Sequence, residues 1–122
     1  MAKTIMIVDD SASLRQVVSI ALKGAGYDVI EGRDGKDALG KLTGQKVNLI
    51  VSDVNMPVMD GLSFVQEVKK LPSYRFTPVI MLTTESGDDM KAAGKAAGAK
   101  AWMVKPFRPE ELLMAVSKLV LP

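Results

Sequence analysis

Asp53 closes the apolar run Leu49-Ile50-Val51-Ser52, and Pro57 follows four residues later. A second short run, Ile5-Met6-Ile7-Val8, also ends on acid, at Asp9-Asp10. Runs of this kind read as buried parallel strands, and ligands of open α/β sheets gather at the carboxyl ends of such strands. If the two strands are neighbours, three carboxylates meet at one rim. Unit charges ~4 Å apart at an effective dielectric of ~20 repel by about 4 kcal/mol, so the cluster calls for a cation. Mg²⁺ suits one or two carboxylates, waters and a phosphate oxygen. Beside such an ion, Asp53 has the chemistry of a nucleophile towards phosphorus. Asp9 and Asp10, with Ser11 or Ser13, also fit a turn that caps a helix, and the two readings are compatible.

Two further strand ends carry complementary groups. Val79-Ile80-Met81-Leu82 runs into Thr83, a hydroxyl donor, and Ala101-Trp102-Met103-Val104 runs into Lys105, a long cation. Lys105 can pair with a phosphoryl oxygen or, before transfer, with Asp53. Cis or trans at Lys105-Pro106 is open from sequence, since the X-Pro preference makes cis uncommon.

The composition narrows the chemistry. The chain has no Cys, so disulfides, thiol nucleophiles and Cys-based zinc sites are excluded. It has no His, which removes a His general base, the H-E-x-x-H zinc motif and any phosphohistidine on this chain. Its 122 residues suit one domain, and a net charge of +2 argues for neither nucleic acid nor membrane. No apolar run approaches the ~20 residues of a bilayer span, and no signal peptide is evident, so the chain reads as cytoplasmic.

Helical stretches separate the strands. Leu14, Val17, Val18, Ala21, Leu22 and Ala25 recur as one amphipathic face, ended by Gly24 and Gly26. Asp28-Val29-Ile30-Glu31 is short and polar-flanked, as an edge strand is. Residues 36–42 form a weak helix after Asp34-Gly35. Phe64, Val65, Val68 and Leu71 face inward from a third helix, stopped at Pro72. Residues 87–98 form a thin helix with Gly94 inside, which is expected to be mobile. Pro109-Glu110-Glu111 opens the last helix, with Leu112, Leu113, Val116, Leu119 and Val120 inward. Five strand–helix units imply an α/β fold, a parallel sheet with helices on both faces.

Together these motifs resemble the response-regulator receiver domain of two-component signalling, and in particular its stand-alone, CheY-like chemotaxis type. The resemblance covers essentially the whole chain. It rests on Asp9-Asp10, on Asp53 in Ser-Asp-Val-Asn-Met-Pro, on Met59-Asp60-Gly61, Met81-Leu82-Thr83, Gly98-Ala99 and Lys105-Pro106-Phe107. It implies the flavodoxin-like doubly wound sheet of order 2-1-3-4-5 with five helices. It also implies one receiver domain over residues 1–122 with no output domain, so that output is protein–protein binding.

Residue by residue, the resemblance implies that Asp53 accepts phosphate from a histidine kinase of the CheA type. Asp9, Asp10, Asp53 and the backbone carbonyl of Asn55 would bind Mg²⁺. Thr83 would move towards the phosphoryl group. Trp102 stands where the family has a switch aromatic, commonly Tyr or Phe with a smaller ring, and Trp102 also fits as plain core or edge cover. Asn55 and Glu85 occupy positions that tune loss of phosphate. A flagellar motor switch or a phosphatase would be a further partner, and the family expectation is a monomer that is not an enzyme beyond its own phosphorylation and dephosphorylation.

A phosphate sink that drains a kinase without output of its own is equally compatible with these motifs. Other readings fit less well. A Mg²⁺-dependent phosphatase with an aspartyl-phosphate intermediate needs an acid two residues after the nucleophile, where this chain has Asn55. A nucleotide or flavin site lacks its glycine cradle, since the first strand leads into Asp-Asp-Ser-Ala-Ser. A degenerate scaffold would not need every site position filled. Met56 and Met59 read as loop packing, and Phe107 as packing under the lysine loop. Lys91, Lys95 and Lys100 read as a docking stripe or simply as a solvated face.

Overall fold

The computed structural model describes residues 2–84 and 88–120, with the side chains of 88–91 and 94 outside the description. Glu85 therefore lies outside the described residues, as does the side chain of Lys91. Five strands form one parallel sheet: β1 (Thr4–Val8), β2 (Asp28–Gly32), β3 (Leu49–Asp53), β4 (Val79–Thr83) and β5 (Ala101–Val104). Their order is β2-β1-β3-β4-β5, as the resemblance implies. The helices between and after them are α1 (Ala12–Gly24), α2 (Gly35–Lys41), α3 (Gly61–Lys70), α4 (Asp88–Ala97) and α5 (Pro109–Leu119).

Strand alternation sorts the core into two layers. Ile5, Ile7, Leu49, Val51, Ile80 and Leu82 point to one face and pack under α1 and α5 with Val18, Leu22, Leu112 and Val116. Met6, Val8, Ile50 and Met81 point to the other, against Ala38, Phe64, Val65, Val68 and Ala97. Phe64 is fully buried there. Each such side chain stabilises the fold by about 1.5–3 kcal/mol relative to exposure. Burial on both faces explains why β3 and β4 are apolar almost throughout.

Local signals set the helix ends. Ser11 caps α1 by accepting from Leu14 N, Asp34 caps α2 by accepting from Asp37 N, and Asp60 caps α3 by accepting from Ser63 N. Asp10 is thus not the cap of α1, and Ser11 is. The apolar face of α1 differs from the periodicity in two places. Val17 is 52% exposed, and Ala25 is the exposed C-cap. The helix instead buries Val18, Ser19 and Leu22. Val17 and Val18 stand 100° apart on the helix, so only one can point to the centre of the sheet. β2 lies at the sheet edge, as its polar flanks predict.

Parallel pairing brings the rim together. Val8 is level with Ser52 across β1 and β3, and Asp53 is level with Leu82 across β3 and β4. Thr83 is level with Val104 across β4 and β5. The residues following each strand end then share one edge. The Lys105–Pro106 bond is cis.

Candidate functional site

Asp9, Asp10 and Asp53 meet at the carboxyl edge of β1 and β3. One carboxylate oxygen from each lies within 4.8 Å of the others. Asp9 is fully buried, Asp53 is 5% exposed and Asp10 faces solvent. The donor set is oxygen only, held close together, with one side open to water. That fits a hard divalent cation such as Mg²⁺, which keeps several waters.

Lys105 reaches the cluster from the end of β5. Its Nζ lies 3.0 Å from Asp9 Oδ2 and 3.2 Å from Asp53 Oδ1. Its backbone N–H donates to the carbonyl of Thr83 at 2.6 Å, which ties the lysine loop to the end of β4. Burial pushes the Asp53 carboxyl above the usual range, and the Asp9 and Asp10 charges add to that, while Lys105 offsets only part of it. Burial alone would lower the Lys105 ammonium. The hydrogen bond and charge of Asp9, then those of Asp53, outweigh it and hold the ammonium above its ordinary value.

Every polar atom of Asp9 is engaged. Its N–H donates to the carbonyl of Gly32 at 3.1 Å, and its carbonyl accepts from Arg15 Nη1 at 2.5 Å. Oδ1 accepts from Ser11 N at 2.8 Å, and Oδ2 accepts from Lys105. Arg15 in turn pairs with Glu31 at 3.3 Å. Neither Arg15 nor Glu31 stands out in the sequence, because they meet only once α1 packs beside β2.

The loop after β3 is close-packed. The Gly61 N–H donates to Val54 O at 2.8 Å, and a Cβ on Gly61 would come 2.1 Å from the carbonyl oxygen of Asp53. Only glycine fits against the backbone of the central carboxylate. Between them Val58 has φ +69°, and Met59 N–H donates to Pro57 O at 2.7 Å. This is a γ-turn in its strained form, at a β-branched residue.

The remaining predicted residues spread outward. Thr83 is fully buried at the end of β4. Asn55 is exposed just beyond β3. Trp102 is partly buried against the Phe64 layer, so its ring is neither free nor fully core. Its buried Nε1–H has no hydrogen-bond partner among the described residues. Met56 and Met59 pack against the same layer, and Phe107 packs at the margin of the Leu112 layer. No described helix is long and apolar enough to cross a membrane.

Comparison with known proteins agrees with this geometry. The chain is 39% identical to protein PilG of Pseudomonas aeruginosa, over 92% of this chain and 83% of that protein. It superposes on the chemotaxis response regulator CheY4 of Vibrio cholerae with a TM-score of 0.93 and 47% identity, covering 98% and 99% of the two chains. The receiver domain of the sensor histidine kinase PA1611 from Pseudomonas aeruginosa, described with a magnesium ion coordinated in its active-site cleft, matches with a TM-score of 0.89 and 27% identity over 98% of each chain. Several other curated relatives are transcriptional regulators, of which this chain spans about half. The model of the response regulator receiver domain matches residues 5–117. The chain belongs to the response regulator receiver domain family, a family of signalling modules rather than classical enzymes.

Proposed function

We propose that Asp53 is the phosphoacceptor of a chemotaxis-type phosphorelay. An oxygen of its carboxylate attacks the phosphorus of a phosphohistidine on a partner histidine kinase. The new O–P bond forms as the P–N bond breaks, and the imidazole leaves with the electron pair and takes up a proton. Mg²⁺ held by Asp9, Asp10, Asp53 and the Asn55 carbonyl would supply positive charge against the phosphoryl oxygens. Lys105 turns from Asp53 to a phosphoryl oxygen, and the Thr83 hydroxyl donates to another. Asn55 and Glu85 tune the return of water to the acyl phosphate.

The observation that carries this reading is the convergence of Asp9, Asp10 and Lys105 on Asp53. The raised pKa of Asp53 supports it too, since such shifts cluster where charge is about to change. The output is a shift between two states that alters the surface around Trp102. The name of the Vibrio cholerae neighbour supports a chemotaxis setting. In that setting the kinase upstream is CheA-like and the target is a flagellar motor switch. Residues 1–122 act as one receiver unit in this scheme.

Intact mass tests it. The protein, mixed with Mg²⁺ and a small acyl phosphate, gains one phosphoryl group. Asp53→Asn and a chelated sample gain none. A gain in Asp53→Asn would remove Asp53 from its role, and a gain under chelation would remove the metal.

A further inference from the structure

Of the three acids, Asp9 is the one fully sealed from water, and each of its polar atoms is bonded. Three of its partners belong to the rim or to neighbouring backbone. The fourth, Arg15, comes from the first turns of α1, and its side chain is only 18% exposed. Its guanidinium forms a fork: Nη1 donates to the Asp9 carbonyl while Nε faces Glu31 Oε1. Glu31 stands on β2, next to Gly32, whose carbonyl accepts from Asp9 N–H. The peptide groups on both sides of the Asp9 Cα are thus fixed to β2, one directly and one through Arg15.

We infer that Arg15, held by Glu31, is a positioning residue that presets the Asp9 carboxylate for the divalent cation. The inference rests on the metal reading proposed above. Its physical content is a competition of signs. A guanidinium near an acid cluster repels a divalent cation, so a change of charge alone makes removal of Arg15 tighten Mg²⁺ binding. Loss of an outer partner that orients a ligand weakens metal binding, by about 10–100-fold in characterised sites. Glu31 already neutralises much of the guanidinium charge, so positioning outweighs repulsion here. Lysine cannot replace Arg15, because a single ammonium lacks the planar fork that serves Asp9 and Glu31 at once.

Isothermal calorimetry of the whole chain with MgCl₂ alone, without phosphodonor, separates the two signs. Arg15→Gln binds Mg²⁺ about tenfold more weakly than the parent. Arg15→Lys does not restore the affinity. Glu31→Gln, on a half-exposed side chain, weakens binding in the same direction, and the double variant is no weaker than Arg15→Gln, since the pair acts as one device. Equal or tighter binding by Arg15→Gln overturns the inference, as does additivity in the double variant. Should Arg15→Gln lose its cooperative melting in chelator, Glu31→Gln decides alone, and unchanged affinity there overturns the pairing. A parent protein that binds no Mg²⁺ overturns the metal reading itself, and the inference with it.

Discussion

Lys105 Nζ donates to Asp9 Oδ2 at 3.0 Å, across 96 residues of chain. The ammonium also lies 3.2 Å from Asp53 Oδ1, so one cation serves two buried carboxylates. In metal-free protein it holds the rim together against their mutual repulsion.

Lys105→Met therefore leaves two buried carboxylates without a counter-charge. Breaking a buried pair costs about 3–5 kcal/mol, and the partial exposure of Lys105 reduces this to about 1–3 kcal/mol. Urea unfolding in chelator measures it. The raised ammonium pKa fixes the pH dependence: its contribution is full below the ordinary lysine value and is lost as pH rises through the folded value. The gap between parent and variant thus holds at neutral pH and closes only in strong alkali. Added Mg²⁺ stabilises Lys105→Met more than the parent, because it meets no competing ammonium.

At neutral pH the ionised Asp53 costs the fold stability, where the charged Lys105 contributes it. Burial, then the Asp9 charge, raises its pKa, so the folded protein favours the protonated form. That preference helps folding below the ordinary carboxylate value and is lost as pH rises through the folded value. At neutral pH in chelator, Asp53→Asn is consequently more stable than the parent, with a melting temperature higher by about 2–6 °C. The advantage shrinks as pH falls and vanishes below about pH 4. Thermal melts across that range, in chelator, check it.

Gly61→Ala strikes the same carboxylate from its backbone. The added Cβ would sit 2.1 Å from the Asp53 carbonyl oxygen and 2.9 Å from Met81 Cε. The methionine end can turn aside, but the β3 backbone cannot. Overpacking of this kind costs about 1–3 kcal/mol or more. The variant loses that stability by urea unfolding, and its rate of phosphorylation falls with it, because relief moves Asp53.

Val58 offers a stabilising change. At φ +69° its β-branched side chain is strained, and it is 75% exposed, so trimming it forfeits little packing. Strain of this sort costs about 1–3 kcal/mol. Val58→Gly relieves it at some cost in chain entropy, for a net gain of about 0.5–1 kcal/mol by urea unfolding. A loss of stability would show that the turn is held by the valine side chain itself.

Much of this site was legible in the chain. β3 and β4 fall at the residues where their apolar runs begin, because strands buried on both faces must be apolar. Asp9, Asp10, Asp53 and Lys105 could be placed at one edge once the sheet was parallel. The role of Val17 was not legible, since two adjacent valines satisfy the same periodicity and only packing chooses Val18. Arg15 and Glu31 were hidden for a related reason: their contact depends on how α1 sits over the edge strand, which no local pattern records. The approach of Gly61 to the Asp53 carbonyl is likewise a tertiary fact, carried by a glycine that local rules read as a turn.

The central claim is that the carboxylate of Asp53 itself takes the phosphoryl group. Borohydride reduces an acyl phosphate to an alcohol and leaves a free carboxylate intact. The protein, treated with Mg²⁺ and a small acyl phosphate, is reduced, digested and mapped by mass spectrometry. The account predicts homoserine in place of aspartate at position 53, with Asp9 and Asp10 unchanged. Reduction at Asp9 or Asp10 in its place, or a phosphoryl group retained on a serine or threonine, would contradict it.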